Sequence, residues 1–274
     1  MTQIALTSLA CPLDGKPLTR DNKRFTCGAG HSFDLAKRGY LHLLPAQHKR
    51  SRAPGDSIEM IQARQRFLER GFYRQLASAL ADVSALADDV TVLDAGCGEG
   101  YYLRQLETLR PEVSWIGAGL DISKPAIDSA AKCDKGFKYL VASNANIPLL
   151  DNSVDVLWCV FGFADFEQFK RVLKPTGRLI MVDPGVNHLL ALREVIYPEV
   201  VDKASERPTP KGFRLLDKQH IAGEMPLDQT ALADLLLMTP HLFRANREGR
   251  ERAAALEALQ CQYDIELRVF CPTS

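Results

Sequence analysis

The sequence predicts an α/β fold, in which a mostly parallel β-sheet with helices on both faces follows a small N-terminal ribbon-like module. Strand-like apolar runs alternate with helical patterns between residues 90 and 182. This alternation is typical of a parallel sheet, because each parallel neighbour is reached through a crossover helix. Residues 1–45 instead carry short β-like runs between turn-forming residues and no helical period. A chain of 274 residues is long enough for one large domain and such a module.

The predicted elements follow one another without an internal repeat. Residues 46–56 are polar, basic and interrupted by Pro54 and Gly55, which indicates a loop or linker before a domain at 57–274. Apolar residues at helical spacing then predict one or two helices that end near residue 89. A polar loop with Pro208 and Pro210 precedes the last helix. The predicted strands lie at 91–93, 113–120, 137–142, 154–161, 177–182 and 263–270, and the other helices at 102–109, 125–132, 189–196 and 228–237.

The composition is that of an ordinary globular protein, with 46% hydrophobic residues, 25% charged residues and a net charge of zero. Residues 1–70 hold 12 Lys and Arg against 6 Asp and Glu, whereas the remainder holds 22 against 28. A basic N-terminal third indicates either a surface for a polyanion or an ordinary solvated face. Seven cysteines at irregular spacing do not form a disulfide framework. Because no apolar run approaches the ~20 residues that cross a bilayer and residues 1–9 do not resemble a signal peptide, we expect a cytoplasmic protein without a membrane partner.

A glycine-rich loop directly follows the predicted strand at 91–93. Gly96, Gly98 and Gly100 lack a Cβ, so a ligand can lie against the main chain, and the N–H groups of the following helix can receive a carboxylate. Neither a P-loop nor the G-x-G-x-x-G order of dinucleotide enzymes is present. The loop from Asp94 to Gly100, D-x-G-x-G-x-G, resembles the first motif of class I S-adenosylmethionine-dependent methyltransferases. The resemblance implies cofactor contacts at Asp94, Gly96, Gly98, Glu99 and Gly100.

Two polar side chains after later strands strengthen this interpretation. Asp121 ends the second predicted strand, where a carboxylate can accept both ribose hydroxyls, and its alternative role is a helix N-cap. Asn144 follows the third strand, where such enzymes hold adenine, and its alternative role is a turn residue. Residues 151–155 and 173–178 resemble the fourth and fifth strand signatures of the same superfamily.

The N-terminal module contains a candidate metal site. Cys11 and Asp14 are separated by two residues, and Cys27 and His31 by three, with twelve residues between the pairs. This is the spacing of a zinc knuckle in which one ligand has changed. The changed ligand is Asp14, and zinc accepts aspartate oxygen less often than thiolate or imidazole. A bound zinc would stabilise a module too small to hold itself together, whereas an empty, degenerate site is the alternative.

Longer segments resemble one family, the 23S ribosomal RNA guanine-N1 methyltransferases of the RlmA type. The most specific is Gln47-His48-Lys49-Arg50-Ser51-Arg52 together with the zinc-like module, and the similarity covers nearly the whole chain. The other matching segments are 11–13, 30–40, 67–73, 94–102, 184–189 and 237–240. The resemblance implies a seven-stranded methyltransferase sheet, methylation of N1 of one guanine in a hairpin loop of 23S ribosomal RNA, a zinc-binding module and a homodimer. It also implies cofactor contacts at Tyr73, Gly98, Glu99 and His188.

Two positions depart from the family pattern. Asp14 stands where the family has a second cysteine, and Phe161-Gly162-Phe163 stands where members typically have Tyr-Ala-Pro, near the methyl-acceptor pocket. The first departure bears on whether zinc is bound, and the second on which nucleotide is modified.

Guanine N1 carries a proton at neutral pH, so the site must remove it or stabilise the charge that develops on O6. His188 is a candidate base, or else a cofactor contact. Phe161 and Phe163 could stack on a looped-out guanine, or else belong to the core. Lys49, Arg50 and Arg52 are expected to contact RNA phosphates. Two other functions stay open on the sequence alone, a methyltransferase for a small molecule and an RNA-binding protein with a vestigial cofactor fold.

Overall fold

The computed structural model describes residues 8–48, 54–200 and 207–273. Its N-terminal part forms a three-stranded antiparallel sheet of β1 (Thr19–Asp21), β2 (Arg24–Thr26) and β3 (Ser32–Asp34). A fourth short strand, β4 (Leu41–His42), leaves this sheet and is followed by a 3-10 turn at 46–48. This ribbon agrees with the short β-like runs predicted before residue 45.

The main sheet is mostly parallel, as predicted. Its parallel strands in chain order are β5 (Asp89–Ala95), β6 (Ser114–Asp121), β7 (Lys138–Val141), β8 (Val154–Val160) and β9 (Leu173–Pro184). Two long antiparallel strands, β10 (Phe213–Asp228) and β11 (Ala258–Pro272), complete one edge. The spatial order is β10-β11-β9-β8-β5-β6-β7-β4. The sheet therefore has one strand more than the seven that the family resemblance implies, because β4 pairs in parallel with β7.

Nine helices surround the sheet in the described part of the chain. They are α1 (Ile58–Glu69), α2 (Arg74–Ser84), α3 (Tyr101–Leu109), α4 (Lys124–Cys133), α5 (Phe166–Val172), α6 (Leu190–Ile196), α7 (Gln229–Met238), α8 (His241–Arg244) and α9 (Arg247–Ala254). No helix among the described residues is long and apolar enough to cross a membrane.

Both faces of the sheet are buried. Successive residues of a strand point to opposite faces, so neighbouring residues belong to different clusters. Trp158 of β8 packs in one cluster with Leu80 of α2 and Leu103 of α3. Its neighbour Leu157 packs in the other cluster with Phe169 of α5 and with Leu9 of the N-terminal segment. The ribbon therefore shares its apolar core with one face of the main sheet.

The C-terminal region differs most from the sequence prediction. The predicted polar loop before the helix at 228–237 contains β10. The predicted final strand at 263–270 extends to Ala258–Pro272. β10 escapes detection because most of its side chains are exposed and charged residues interrupt its apolar ones. A ladder along nearly its whole length pairs β10 with β11, so long-range backbone pairing rather than local pattern specifies it.

The strand order reverses at β5, since β6 and β7 lie on one side of it and β8 and β9 on the other. In doubly wound sheets, ligands bind in the crevice outside the carboxyl ends of the strands at such a point. The topology therefore places a binding crevice at the end of β5, where the glycine loop begins.

Candidate functional site

The glycine loop connects β5 to α3 through three residues in the left-handed region. Gly96, Gly98 and Gly100 have φ values of 101°, 56° and 78°, which other residues rarely adopt. A Cβ on Gly100 would lie 2.7 Å from the hydroxyl oxygen of Tyr139, whereas the space beside Gly96 holds no atom within 4 Å. The loop thus needs glycine for its turn and leaves bare main chain facing the crevice.

Asp121 lies at the end of β6 and ties this loop to the next strand. Its Oδ2 accepts the backbone N–H of Gly98 at 3.0 Å, and its Oδ1 accepts that of Ser123 at 2.7 Å. The N-cap of α4 is Ser123, whose Oγ accepts the N–H of Ala126. Asp121 is therefore not the cap residue, and its carboxylate has lone pairs left for a ligand in the crevice.

Two further carboxyl groups of the loop are buried and have oxygens without hydrogen-bond partners. Both side-chain oxygens of Asp94 and Oε1 of Glu99 make no hydrogen bond with any described residue. The nearest cation to Glu99 is Arg104, at 4.0 Å. Burial, together with the charges of Asp121 and Glu99, raises the pKa of Asp94 to about 8, and burial also raises the pKa of Glu99.

Unpartnered buried carboxyl groups are costly unless a ligand completes them. A positively charged ligand fits these carboxyl groups, because it would donate to their oxygens and relieve the repulsion between the acids. S-adenosylmethionine carries such charge on its sulfonium and its ammonium group. The residues present therefore fit that cofactor.

Asn144 lies beyond β7 and connects the ends of two strands. Its amide nitrogen donates to the carbonyl oxygens of Ala95 at 3.3 Å and Phe163 at 2.7 Å. Its amide oxygen is buried and has no partner in the described structure. That oxygen can accept a hydrogen bond from an amino group such as that of adenine.

Three aromatic rings meet at the same edge of the sheet. Tyr73 Oη lies 3.4 Å from His188 Nε2, and the ring centroid of Phe161 lies 5.7 Å from that of His188 and 6.2 Å from that of Tyr73. Phe161 follows β8 with a φ of 52°, a conformation that is a genuine outlier for a bulky residue and is typical of functional sites. Phe163 does not join this cluster, because its side chain is 95% exposed.

The surroundings of His188 determine its protonation. The backbone N–H of Asp264 donates to its Nδ1 at 3.3 Å, and burial lowers its pKa to about 4. The ring is therefore neutral at pH 7 with its proton on Nε2, the atom that faces Tyr73. In this tautomer Nε2 is a hydrogen-bond donor beside Tyr73 Oη, and His188 has no free lone pair with which to act as a base.

Arg64 of α1 is a site residue that sequence reasoning missed. Its Nη2 lies 2.6 Å from Oδ2 of Asp56, and its Nη1 lies 3.3 Å from the position that a Cβ on Gly98 would take. Helical spacing gives no signal for it, because Arg66 of the same helix and Arg70 at its C-cap are also arginines, and these two pair elsewhere, with Asp234 and Asp228. Only the contact of α1 with the loop distinguishes Arg64.

The four predicted metal ligands come together in the ribbon. Oδ2 of Asp14 lies 3.3 Å from Sγ of Cys27 and 3.4 Å from Nδ1 of His31. The His31 Nδ1 lies 3.5 Å from Sγ of Cys11 and 3.4 Å from that of Cys27. Ligands at about 2.0–2.3 Å from a tetrahedral zinc are separated by roughly 3.3–3.8 Å. The cluster therefore fits zinc, with Asp14 at the fourth corner.

The predicted RNA contacts Lys49, Arg50 and Arg52 lie outside the described residues. The chain is described again from Pro54, and Ser123 Oγ donates to the carbonyl oxygen of Asp56 at 2.8 Å. The C-terminal end of the basic segment is therefore attached beside Asp121.

Comparisons with known proteins agree with this geometry. The zinc-ribbon family model described as "RlmA, N-terminal" matches residues 9–52, and the model described as "Methyltransferase domain" matches residues 93–181. A protein of Micromonospora griseorubida, provisionally named a 23S rRNA (guanine-N(1)-)-methyltransferase, is 36% identical over 73% of this chain and 74% of its own length.

Two further relatives extend over almost the entire chain. The protein YxjB of Bacillus subtilis (strain 168), with the same provisional name, is 30% identical over 94% of this chain and 95% of its own length. The 23S rRNA (guanine(748)-N(1))-methyltransferase of Streptomyces fradiae is 29% identical over 95% of this chain and 94% of its own length. The chain therefore belongs to the family of 23S rRNA (guanine-N1)-methyltransferases that carry an RlmA-type N-terminal zinc ribbon.

Proposed function

We propose that this protein transfers a methyl group from S-adenosylmethionine to N1 of a guanine in a hairpin loop of 23S ribosomal RNA. The observation that carries the proposal is the buried, unpartnered carboxyl group of Asp94 at the start of a bare glycine loop. In a chain of this family, such a group at the reversal point of the sheet suits the positive end of the cofactor.

We assign a group in the crevice to each part of the cofactor. The main chain of Gly96, Gly98 and Gly100 supports the ligand, and Asp121 accepts the ribose hydroxyls. The amide oxygen of Asn144 receives the adenine amino group, and Asp94 and Glu99 face the positively charged end. The cofactor supplies an electrophilic methyl group, so the task of the protein is to align that methyl with the nucleophile.

The target base is proposed to enter beside Tyr73, Phe161 and His188. Phe161 stacks on the guanine, and the exposed Phe163 contacts the flanking nucleotide. The N1 proton would pass to water, and the bond from N1 to the methyl group would form as the sulfur–methyl bond breaks, which leaves S-adenosylhomocysteine. The Nε2–H of His188, which lies 3.4 Å from Tyr73 Oη in the free protein, would donate to O6 as negative charge develops there. A donor role for His188 follows from its neutral tautomer and replaces the base role that the sequence suggested.

The N-terminal part is proposed to hold the RNA. Zinc on Cys11, Asp14, Cys27 and His31 orders the ribbon, and Lys49, Arg50 and Arg52 bind phosphates. Substituting these three basic residues with alanine should weaken RNA binding and reduce its salt dependence, with a slope smaller by about 0.7 per lost contact. Unchanged RNA affinity at low salt would contradict their role. We also propose a cytoplasmic homodimer, which sedimentation equilibrium of the purified protein tests for its oligomeric state.

The decisive experiment is methyl transfer to 23S RNA that lacks this modification. The protein is incubated with that RNA and S-adenosylmethionine labelled in the methyl group, and the modified position is mapped by nuclease digestion and mass spectrometry. We expect label on N1 of a single guanine in a hairpin loop. Label on another atom, or transfer only to a small molecule, would overturn the proposed substrate.

A further inference from the structure

Arg64 places a guanidinium group among the acids of the cofactor crevice. Its Nη2 pairs with Asp56 at 2.6 Å and also donates to the carbonyl oxygen of Met238 at 3.3 Å. Its Nη1 lies 3.3 Å from the position that a Cβ on Gly98 would take. The planar fork of this guanidinium therefore lies beside the glycine loop.

The charges around Arg64 make this position unusual. The carboxyl groups of Asp56, Glu99 and Asp121 all interact with it. The other nearby cation, Arg104, donates to the carbonyl oxygen of Glu99 and is 4.0 Å from its carboxyl group. Arg64 is thus the cation that faces the bare stretch of the loop at Gly98.

We propose that Arg64 binds the α-carboxylate at the methionyl end of the cofactor, and that Asp56 occupies part of the same guanidinium in the free protein. The proposal rests on the proposed function, because it assigns a partner to one group of S-adenosylmethionine. An arginine fork matches a carboxylate through two parallel hydrogen bonds.

The attachment of Asp56 explains why it competes with the ligand. Ser123 Oγ holds its carbonyl oxygen at 2.8 Å, and a Cβ on the preceding Gly55 would lie 2.7 Å from Cβ of Ser123. Gly55 has a φ of 85°, so this close approach depends on glycine. The Asp56 side chain therefore stays beside Arg64, and its negative charge opposes a second carboxylate there.

Two ligands separate the carboxylate contact from the rest of the site. S-adenosylhomocysteine and 5′-methylthioadenosine share the adenosine and the thioether, but only the first carries the amino-acid carboxylate. Calorimetric titration of Arg64→Ala should show S-adenosylhomocysteine binding weakened by roughly 10- to 100-fold, the range for a charged hydrogen bond. Binding of 5′-methylthioadenosine should stay as in the wild type. Asp56→Asn should bind S-adenosylhomocysteine more tightly, again without effect on 5′-methylthioadenosine.

Arg66→Ala is the matched control, because Arg66 lies on the same helix but pairs with Asp234, away from the loop. It should leave the binding of both ligands unchanged. Arg64→Lys provides a second variant if Arg64→Ala does not fold, and it should retain part of the affinity for S-adenosylhomocysteine, because lysine keeps the charge without the fork.

Equal weakening of both ligands by Arg64→Ala would show a structural role and overturn the assignment, as would unchanged binding of S-adenosylhomocysteine. Weaker binding of S-adenosylhomocysteine by Asp56→Asn would overturn the competition. A wild-type protein that binds neither ligand would instead refute the proposed function, so the two failures are distinguishable.

Discussion

The cofactor crevice and the Cys/His/Asp cluster of the ribbon differ in how their ionisable groups are partnered. In the cluster, the ligand atoms of Cys11, Asp14, Cys27 and His31 all lie within 4.8 Å of one another, close enough together to hold one metal ion. In the crevice, the carboxyl group of Asp94 is buried and has no partner among the described residues. One region has its ligands arranged around a point, and the other has charges that face an extended space.

The ribbon and the cofactor crevice also differ in the source of their stability. The ribbon has three short strands with mostly exposed residues, so a bound metal ion would add to the order that its packing against the main sheet supplies. The crevice is built on the ends of parallel strands whose core is already complete, so it can carry unfavourable charge. We therefore expect changes in the ribbon to act through metal binding and changes in the crevice to exchange stability for affinity.

The largest effect is expected from removing a metal ligand. Zinc binding contributes on the order of 10 kcal/mol to folding in small metal-dependent modules. Cys27→Ser should lose zinc, measured by elemental analysis, and lose hydrogen-exchange protection in β1 to β3 while the main sheet stays protected. The exposed Cys133 is the control, and Cys133→Ser should retain zinc. If the purified wild-type protein contained no zinc, the proposed metal site of the ribbon would be contradicted.

The next effect concerns the affinity for the cofactor. Asp121→Ala removes the carboxylate that we propose accepts two charge-assisted hydrogen bonds from ribose, so S-adenosylmethionine should bind roughly 100-fold more weakly in calorimetry. Asp128→Ala on the neighbouring helix α4 removes an exposed pair with Arg38 and should bind as the wild type does. Equal affinity of the Asp121 variant and the wild type would refute the ribose contact.

Gly100→Ala tests the backbone of the loop. The added Cβ would meet Tyr139 at 2.7 Å in a residue with a φ of 78°, so the free energy of unfolding should fall by about 3 kcal/mol. Gly28→Ala is the control, because its Cβ would meet no atom within 4 Å and its φ lies outside the left-handed region. Urea unfolding measures both variants, and equal losses would contradict a special requirement at Gly100.

The smallest expected effect is a pH-dependent gain in the stability of Asp94→Asn over the wild type. Because burial raises the pKa of Asp94 to about 8 from an ordinary value of 3.8, the folded protein keeps a proton that the unfolded chain loses between these values. Stability of the wild type should therefore fall as pH rises through this window. Asp94→Asn should remove this loss and be roughly 1–2 kcal/mol more stable than the wild type at pH 9, while binding S-adenosylmethionine more weakly. Unfolding curves measured at pH 5 and pH 9 test this prediction. The same difference in the free energy of unfolding between the two proteins at both pH values would contradict it.

Local motifs made the core of both regions predictable. The glycine loop lies within seven consecutive residues, Asp121 ends the next strand, and the spacing of the cysteines and His31 brings the cluster together through one small sheet. Arg64 could not be predicted, because its role depends on how α1, Asp56 and Gly98 meet in space. The pairing of β4 with β7 and the long β10–β11 ladder were equally invisible, because both arise from partners distant in sequence.

The central claim is that the buried acids of the glycine loop receive the positive end of S-adenosylmethionine. Calorimetric titration of the wild type at pH 7, in two buffers of different ionisation enthalpy, tests it most directly. We expect saturable binding with proton release, because a cation lowers the pKa of Asp94 from about 8, and we expect less release from Asp94→Asn. No binding, or binding with the same proton release from both proteins, would contradict it.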